Sequence, residues 1–316
     1  MAENSPANVR IADAAAVAEA AEVLRGGGLV AVPTETVYGL AARADSGAAV
    51  AAIYRAKGRP DFNPLIVHVA GLEQAEKLAL FDARARGLAR HFWPGALTLV
   101  LPLRDGAGIA PAVTAGLPTV ALRCPAHPIM QSLISATGLP LAAPSANRSG
   151  GVSPTCAEHV AASLGSKVEL ILDGGACQAG IESTIIALRE GGDWQVLRPG
   201  PISVAELSAM LGSAPAADAG SSGIEAPGQL ASHYAPGKPL RLGVTEAAAD
   251  EFHIGFGAIA GDRCLSASGD LAEAAAQLYA ALHEAAASPR LRIAAAPVPD
   301  EGIGLAINDR LRRAAA

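Results

Sequence analysis

The sequence has few aromatic residues and no excess of positive charge, and each shortage weighs against a class of function. Phe, Trp and Tyr make up 3% of the 316 residues, too few for a surface on which unpaired bases stack. Acidic residues outnumber basic ones by 30 to 24, for a formal net charge of −6, whereas proteins that bind nucleic acid through phosphates are usually basic. Composition therefore disfavours nucleic-acid binding as the primary function. A small substrate that carries phosphate needs only a few well-placed cationic side chains, so such a substrate is compatible with this composition.

Cysteine pairs and long apolar runs are also missing. The four cysteines are far apart and form no C-x-x-C, which leaves no zinc-binding or redox pair. Reduced thiols in a cytoplasmic protein are the simplest interpretation. The first ten residues contain no apolar signal segment, and no uninterrupted apolar run reaches about 18 residues. We therefore expect a cytoplasmic protein that has no contact with a membrane.

The pattern of apolar residues, glycine and proline predicts a large unit, a linker and a small unit. Helix and strand patterns up to residue 212 do not alternate strictly, which is typical of an α+β domain or an α/β domain with a mixed sheet. Ser203 and Glu206 fit a capping box that opens the last helix of this unit. Residues 213–238 are small and irregular, so we predict a linker. Residues 239–316 predict a small α/β domain with a long amphipathic helix over 270–287.

The familiar nucleotide-binding signatures do not occur. The sequence contains no G-x-x-x-x-G-K-[ST], which excludes a P-loop. Gly255, Gly257 and Gly261 imitate a dinucleotide-binding loop, but the last spacing is one residue too long. A plain turn from a strand to a helix is the better interpretation of these glycines.

Polar side chains are concentrated in residues 33–40, P-T-E-T-V-Y-G-L. A predicted strand ends at this segment, and we expect the chain to turn at Gly39. Hydroxyl groups at the end of a strand can both donate to and accept from a small polar ligand. The alternative is an ordinary turn rich in hydroxyl groups.

Two cations stand close together in residues 57–68, K-G-R-P-D-F-N-P-L-I-V-H. Lys57 and Arg59 lie at the end of a predicted helix, where cations also complement the helix dipole. The glycine and prolines around them stiffen the turn, and cations held in fixed directions suit phosphate binding. We expect both side chains to be partly exposed to solvent. His68 lies within an apolar strand, where a hydrogen-bonded core histidine is the simpler explanation.

A third segment, residues 143–155, reads A-P-S-A-N-R-S-G-G-V-S-P-T. A predicted strand runs into a loop rich in glycine and serine and then into a helix. The exposed amides and hydroxyls of such a loop suit phosphate oxygens, although an ordinary helix-capping loop is the alternative. The sequences E-S-T at 182–184 and R-P-G at 198–200 would be unremarkable alone.

In combination these segments resemble the Sua5/YrdC/YwlC family of threonylcarbamoyl-AMP synthases in its long Sua5 form. The motif K-x-R-x-x-x-N-P-L at 57–65, followed by S-x-N at 145–147, is highly specific. The resemblance covers residues 11–211, continues through P-G at 227–228 and H-Y-A-P at 233–236, and extends to the end of the chain in pattern only. It departs from the family at 229–232, Q-L-A-S, where the family has a methionine and basic residues.

The resemblance implies a fold and a reaction. The fold is a large twisted mixed-sheet YrdC-like domain with a concave cavity at 1–212, an interdomain linker and possible lid at 213–238, and a small Rossmann-like C-terminal domain at 239–316. The reaction converts L-threonine, bicarbonate and ATP into threonylcarbamoyl-AMP, diphosphate and water, with Mg²⁺ held mainly by the phosphates. The product serves N6-threonylcarbamoyladenosine (t6A) formation in tRNAs that read ANN codons. Downstream transferase proteins would receive it, and contact with tRNA would be weak.

Residue by residue, the family pattern implies a threonine site and an ATP site. The threonine site comprises Thr36, His68, Arg123, Ala143 and Ser183, with the Arg123 fork paired to the carboxylate. The ATP site comprises Arg59, Asn63, Thr119, Ser145, Ser153, Arg198 and Tyr234. Lys57 and Arg59 are the implied catalytic cations, with Lys57 facing phosphate or bicarbonate. No residue has a clear claim to be a general base.

Two other functions stay open at this point. A double-stranded-RNA or tRNA-binding module is associated with the same fold, although the acidic composition counts against it. A carbamoyl-transfer enzyme similar to the hydrogenase-maturation proteins is the second. Those proteins carry zinc-binding cysteine pairs and further domains, and this sequence has neither.

Overall fold

A computed structural model describes residues 7–216, 224–229 and 232–316. The predicted linker falls partly outside these ranges: residues 217–223, Leu230 and Ala231 are not described. None of the helices in the described ranges is both long and apolar enough to cross a membrane.

The large unit is built on one mixed sheet, which in the described ranges has ten strands in the order β1-β8-β2-β3-β7-β4-β6-β5-β9-β10. The strands are β1 (Val9–Ile11), β2 (Val30–Val32), β3 (Gly39–Arg43), β4 (Ile66–His68), β5 (Leu97–Pro102), β6 (Thr119–Arg123), β7 (Leu141–Ala142), β8 (Leu170–Asp173), β9 (Thr184–Leu188) and β10 (Trp194–Arg198). Neighbours are parallel in β4·β6 and β5·β9 and antiparallel in β2·β3 and β5·β6. The predicted mixed sheet is confirmed.

The helices of the large unit pack on both faces of this sheet. They are α1 (Ala14–Arg25), α2 (Gly47–Lys57), α3 (Leu72–Glu76), α4 (Ala83–Phe92), α5 (Pro111–Thr114), α6 (Pro128–Thr137), α7 (Ala157–Leu164) and α8 (Val204–Leu211). Side chains alternate along a strand, so Val30 and Val32 pack with α1 and α6 while Ala31 joins the core formed by α2, α4 and α7. The predicted capping box opens α8, where Ser203 Oγ accepts from the Glu206 amide at 3.2 Å.

The α1 and α6 layer covers only half of its face. On the same face, β4, β6, β5 and β9 present a second apolar patch that includes Ile66 and Ala121. The described part of the linker packs against this patch through Ala226. This half of the sheet therefore forms the floor of a recess instead of a helix-covered core.

The residues around Gly39 differ from the sequence prediction. The chain turns earlier, over residues 33–38, and Gly39 is the first residue of β3, which pairs antiparallel with β2. A Cβ at Gly39 would lie 3.2 Å from the Cβ of Ala143, so glycine lets this strand pass close to the chain after β7. The polar segment is consequently the tip of a hairpin that faces the recess.

The small unit has a second, parallel sheet in the order β11-β14-β12-β13. Its elements are β11 (Leu240–Leu242), β12 (Glu251–Gly255), β13 (Arg263–Cys264), β14 (Arg292–Ala295), α9 (Leu271–Ala287) and α10 (Gly304–Ala314). The predicted small α/β fold is confirmed. The glycine-rich stretch joins β12 to β13, so it is a strand-to-strand turn. A Cβ at Gly255 would lie 2.4 Å from the Ile259 carbonyl oxygen. Close packing of the backbone therefore explains why this position is glycine.

Candidate functional site

A cavity that is open to solvent at its mouth lies above the recess of the large sheet. The hairpin tip, the ends of β4 and β6, the loop after β7 and the described linker residues form its walls. The structure brings together on this cavity eight of the side chains proposed from sequence, namely Thr36, Arg59, His68, Arg123, Ala143, Ser145, Arg198 and Tyr234.

The hairpin tip is organised by a threonine that the sequence prediction did not assign. Thr34 Oγ1 accepts from the amides of Thr36 and Val37 at 3.1 and 3.2 Å and donates to the Val37 carbonyl at 2.7 Å. Hydroxyl-to-backbone bonds of this kind stabilise tight turns. They hold the Thr36 hydroxyl within 2.8 Å of Thr34 Oγ1, at the cavity wall.

Arg123, at the end of β6, is buried and held in a fixed orientation. Its Nη1 donates to Thr36 Oγ1 at 2.8 Å, its Nη2 to Glu35 Oε1 at 2.6 Å, and its Nε to the Gly95 carbonyl at 3.2 Å. These bonds use three of the five guanidinium N–H groups. One N–H therefore remains on each terminal nitrogen, so the guanidinium still has two donors for an anion such as a carboxylate.

Glu35 supports this arginine and was also not assigned from the sequence. Its second oxygen accepts from the Ala126 amide at 3.0 Å. Burial raises the pKa of the Glu35 carboxyl, but the charge and hydrogen bond of Arg123, together with backbone hydrogen bonds, lower it by more, so the pKa lies below its usual value. Glu35 is thus an ionised anchor that faces Arg123. Its position within the polar 33–40 segment was the available signal.

His68, at the end of β4, is 3% exposed and lines the cavity. Burial, together with the neighbouring Arg123, lowers the pKa of its imidazole to about 3, so the ring is neutral at ordinary pH. Within the described residues its Nδ1 has no hydrogen-bond partner. An unpaired buried nitrogen costs stability, so a polar group that enters the cavity would gain a hydrogen bond at this ring.

Arg59 and Arg198 add two further positive charges to the cavity wall. Arg59 donates to the carbonyls of Asn63 and Pro64 at 3.2 and 2.9 Å, and Arg198 donates from Nε and Nη2 to the Ser183 carbonyl at 3.1 and 3.0 Å. Burial lowers the pKa of Arg59 to about 10, which still leaves it protonated at neutral pH. Backbone carbonyls therefore fix the two guanidinium groups before any anion binds.

The expectation that Lys57 and Arg59 are partly exposed is wrong. They are 4% and 8% exposed. The C-terminal end of α2 is covered by the loop after β7, and Lys57 Nζ donates to the backbone carbonyls of Ser145 and Asn147. Lys57 does not line the cavity in the described structure. It fixes the loop that carries Ser145, and burial lowers the pKa of its ammonium well below the usual value.

Four further residues proposed from sequence do not line the cavity in the described structure. Ser183 Oγ lies behind Arg198, between Thr98 Oγ1 at 2.8 Å and Arg198 Nη2 at 3.1 Å. Ser153 Oγ donates to Glu182 at 2.6 Å. The other two are Asn63 and Thr119.

Asn63 and Thr119 are displaced from the cavity in different ways. Asn63 is buried beside Arg59, and within the described residues its Oδ1 has no hydrogen-bond partner. Thr119 begins β6 whereas Arg123 ends it. At about 3.3 Å per residue, the two Cα atoms are about 13 Å apart along the strand. Direct contacts of these residues with a ligand stay predictions.

The described linker residues Pro227, Gly228, His233 and Tyr234 lie against the cavity. Gly228 has a φ of +88°, and a Cβ there would lie 2.9 Å from Arg198 Cδ and 3.1 Å from the Tyr234 hydroxyl. Only glycine fits this close approach. Tyr234 itself has a φ of +65°, an uncommon conformation for a bulky residue that persists where the surroundings hold it.

The charged groups around the cavity fit an anionic ligand better than a metal ion bound by the protein. Across the described residues, no group of three His, Cys, Asp or Glu side chains could hold a metal ion. Glu182, the carboxylate in the cavity wall, already accepts hydrogen bonds from Ser153, Tyr279 and Arg310. A divalent cation at this site would have to be held mainly by ligand oxygens.

The chain is similar to known proteins over most of its length. Residues 22–200 match the Sua5/YciO/YrdC family, described as "Telomere recombination", and residues 202–316 match "Threonylcarbamoyl-AMP synthase, C-terminal domain". Proteins named threonylcarbamoyl-AMP synthase from Bacillus subtilis and Pyrococcus abyssi are 42% and 41% identical to the chain. The alignments cover 95% and 93% of this chain and 92% of each relative.

A solved structure extends the likeness to three dimensions. The crystal structure of Pyrococcus abyssi Sua5 complexed with L-threonine superposes with a TM-score of 0.88 at 38% identity. The match covers 98% of this chain and 96% of that one. Both the large and the small unit therefore have counterparts in one known protein.

Proposed function

The chain belongs to the Sua5 family of threonylcarbamoyl-AMP synthases, and from that premise we propose how its cavity makes threonylcarbamoyl-AMP. The protein is an enzyme of nucleotidyl transfer whose product serves the t6A modification of tRNA. The names of the relatives favour this synthesis over the RNA-binding and carbamoyl-transfer alternatives. The observation that carries the proposal is one cavity lined by three buried arginines, Arg59, Arg123 and Arg198, each fixed by hydrogen bonds to the backbone.

Threonine binds at the end of the cavity near Arg123. The two remaining N–H groups of Arg123 receive the carboxylate, and Thr36 and the backbone at Ala143 lie beside them on the cavity wall. The unpaired Nδ1 of His68 hydrogen-bonds the polar end of the amino acid. A solved relative is described as complexed with L-threonine, which supports this placement.

ATP binds across Arg59 and Arg198, with Ser145 and the linker residue Tyr234 in contact with it. Two guanidinium groups fixed by backbone carbonyls are suited to phosphate oxygens, because little ordering entropy remains to be lost on binding. Mg²⁺, held mainly by oxygens of the nucleotide, would supply the remaining positive charge. Lys57 contributes indirectly, because it holds the loop that positions Ser145.

Bicarbonate is the third substrate. The threonine amine first combines with bicarbonate to form a carbamate, with loss of water. A carbamate oxygen then attacks the α-phosphorus of ATP, and diphosphate leaves. Such chemistry depends on positioning and charge stabilisation more than on a covalent nucleophile. Arg123 orients the carbamate through the adjacent carboxylate, and Arg59 and Arg198 stabilise the charge that develops on the phosphates.

Several finer statements stay predictions. They are the division of the chain at 212 and 238, closure of the linker as a lid, delivery of the product to a downstream transferase, weak contact with tRNA, and a cytoplasmic location. The position of Pro227 and Tyr234 against the cavity supports the lid.

Diphosphate release by the purified full-length chain tests the function. We expect release when L-threonine, bicarbonate, ATP and Mg²⁺ are all present, and only background when any one is omitted. Arg123→Lys keeps the charge but loses the fork, so we expect it to raise the KM for threonine more than the KM for ATP. Release that does not depend on threonine would contradict the proposal.

A further inference from the structure

A buried carboxylate lies in the wall of a cavity that receives anions. Glu182 is 6% exposed and lines the cavity together with Arg198. Its Oε1 accepts from Ser153 Oγ at 2.6 Å, and its Oε2 accepts from the Tyr279 hydroxyl at 2.8 Å and from Arg310 Nε at 3.0 Å. Among the described residues, none of the hydrogen bonds to this carboxylate comes from Arg198.

The cation that pairs with Glu182 comes from the small domain. Arg310 lies on α10 and is fully buried. Its Nη1 donates to the Pro199 carbonyl and to Asp309 Oδ2, each at 2.9 Å. Within the described residues its Nη2 has no nitrogen or oxygen partner, but its guanidinium carbon lies 5.6 Å from the centre of the Tyr234 ring. A cation–π contact at this distance is favourable and gives the Arg310 guanidinium a further partner.

The charge balance of the cavity depends on this pair. Burial raises the pKa of Glu182, but the charges of Arg310 and Arg198, together with the hydrogen bonds from Ser153 and Tyr279, lower it to about 2, so the carboxylate is ionised. If Arg310 were absent, a buried carboxylate would lose its partner, which is costly in a protein interior. Arg198, the other arginine whose charge lowers the pKa of Glu182, would then be drawn toward this carboxylate. A guanidinium engaged in that way would be less available to a phosphate.

We propose that Arg310 is a positioning residue for the nucleotide site: it occupies Glu182 and thereby leaves Arg198 to the phosphates of ATP. The inference rests on the proposed function, since it assumes that ATP lies beside Arg198. According to this proposal, the small domain contributes to substrate binding without contacting the substrate. The domain supplies the counter-ion of a cavity carboxylate and a support for the Tyr234 ring.

Binding of a non-hydrolysable ATP analogue and of L-threonine, measured separately by calorimetry on full-length variants, tests the proposal. For Arg310→Met we expect the Kd for the analogue to rise by about tenfold or more, because one phosphate-binding charge is diverted. The Kd for threonine should change by less than about twofold, since Arg123 is untouched. Arg312→Met is the matched control, because Arg312 is exposed on the same helix, and both affinities should stay at the wild-type value.

The double variant Glu182→Gln/Arg310→Met separates positioning from general damage. Without the carboxylate, the buried negative charge that would draw Arg198 away from the phosphates is gone, so analogue binding should return to within about threefold of wild type. A Kd as poor as that of Arg310→Met alone would overturn the proposal, as would equal losses for threonine and the analogue or an unchanged Arg310→Met. If Arg310→Met does not fold, Arg310→Gln replaces it, because glutamine still donates to Glu182 without a charge.

Failure of this inference is distinguishable from failure of the proposed function. A wild-type protein that binds the analogue but releases no diphosphate with threonine and bicarbonate would refute the function. Wild-type turnover together with the wrong pattern among the variants would refute only the role of Arg310.

Discussion

Replacing Lys57 with methionine should destabilise the large domain, although Lys57 belongs to the motif implied to be catalytic. The side chain is 4% exposed, and its ammonium donates to the backbone carbonyls of Ser145 and Asn147. The loop also returns a bond, from the Ser149 amide to the Lys57 carbonyl at 2.9 Å. Methionine has a similar length but cannot donate, so one buried and one partly buried carbonyl oxygen would lose a partner.

The size of the effect follows from those two acceptors. A buried polar group left unsatisfied costs about 1–3 kcal/mol, so two of them cost about 2–6 kcal/mol. Removing an ammonium that is itself desolvated recovers part of this, since burial lowers the Lys57 pKa well below its usual value. We therefore expect a loss of about 3 kcal/mol in the free energy of unfolding. For a domain of about 200 residues this lowers the Tm by about 6–12 °C.

Thermal unfolding followed by circular dichroism measures this effect, with Lys77→Met as the control. Lys77 has a side chain that is 71% exposed, so its replacement should shift the Tm by less than about 2 °C. The KM for ATP should rise in Lys57→Met, because Ser145 lies on the same loop and lines the cavity. A Tm of Lys57→Met within about 2 °C of wild type would refute this structural role.

Three further predictions concern specificity, pH and the linker. Threonine should be used several-fold better than serine in diphosphate release, since one methyl group is worth about 1–3 kcal/mol; equal kcat/KM values would contradict this. The rings of His159 and His283 stack at 3.8 Å between α7 and α9, and burial lowers both pKa values, to about 4 for His159. Because the pKa of histidine in the unfolded chain is about 6.5, the folded state binds fewer protons, and its stability should fall as the pH drops below about 6.5. Urea unfolding measures this: between pH 7 and pH 5, His159→Phe should lose less stability than wild type. Tyr234→Ala should weaken ATP binding, and substrates should slow proteolysis of the wild-type linker. If the linker is cleaved equally fast with and without substrates and Tyr234→Ala binds ATP as wild type does, the linker is only a passive tether.

Local patterns predicted those elements whose signal lies within the element itself. The capping box of Ser203 and Glu206 and the strand Thr119–Arg123 have the predicted form. The strand Gly39–Arg43 was missed, because glycine and alanine have low strand propensity. Its pairing with β2 and β7 specifies it instead, and such pairing is a property of the folded chain.

The resemblance predicted side chains that the fold does bring together, including Thr36, His68 and Arg123. It could not predict which way each side chain points. Lys57 was expected near solvent, but the distant loop after β7 covers the end of its helix. The pair of Glu182 and Arg310 joins residues 128 positions apart, and nothing in either local sequence indicates the partner.

The most direct test of the synthase function is the origin of the atoms in its product. The full-length chain would be incubated with ATP, L-threonine and ¹³C-bicarbonate, and the products separated and weighed by mass spectrometry. We expect a compound that contains AMP, threonine and the labelled carbon, formed in step with diphosphate. Diphosphate release that yields only AMP, or an adenylate that never contains the label, would contradict the account.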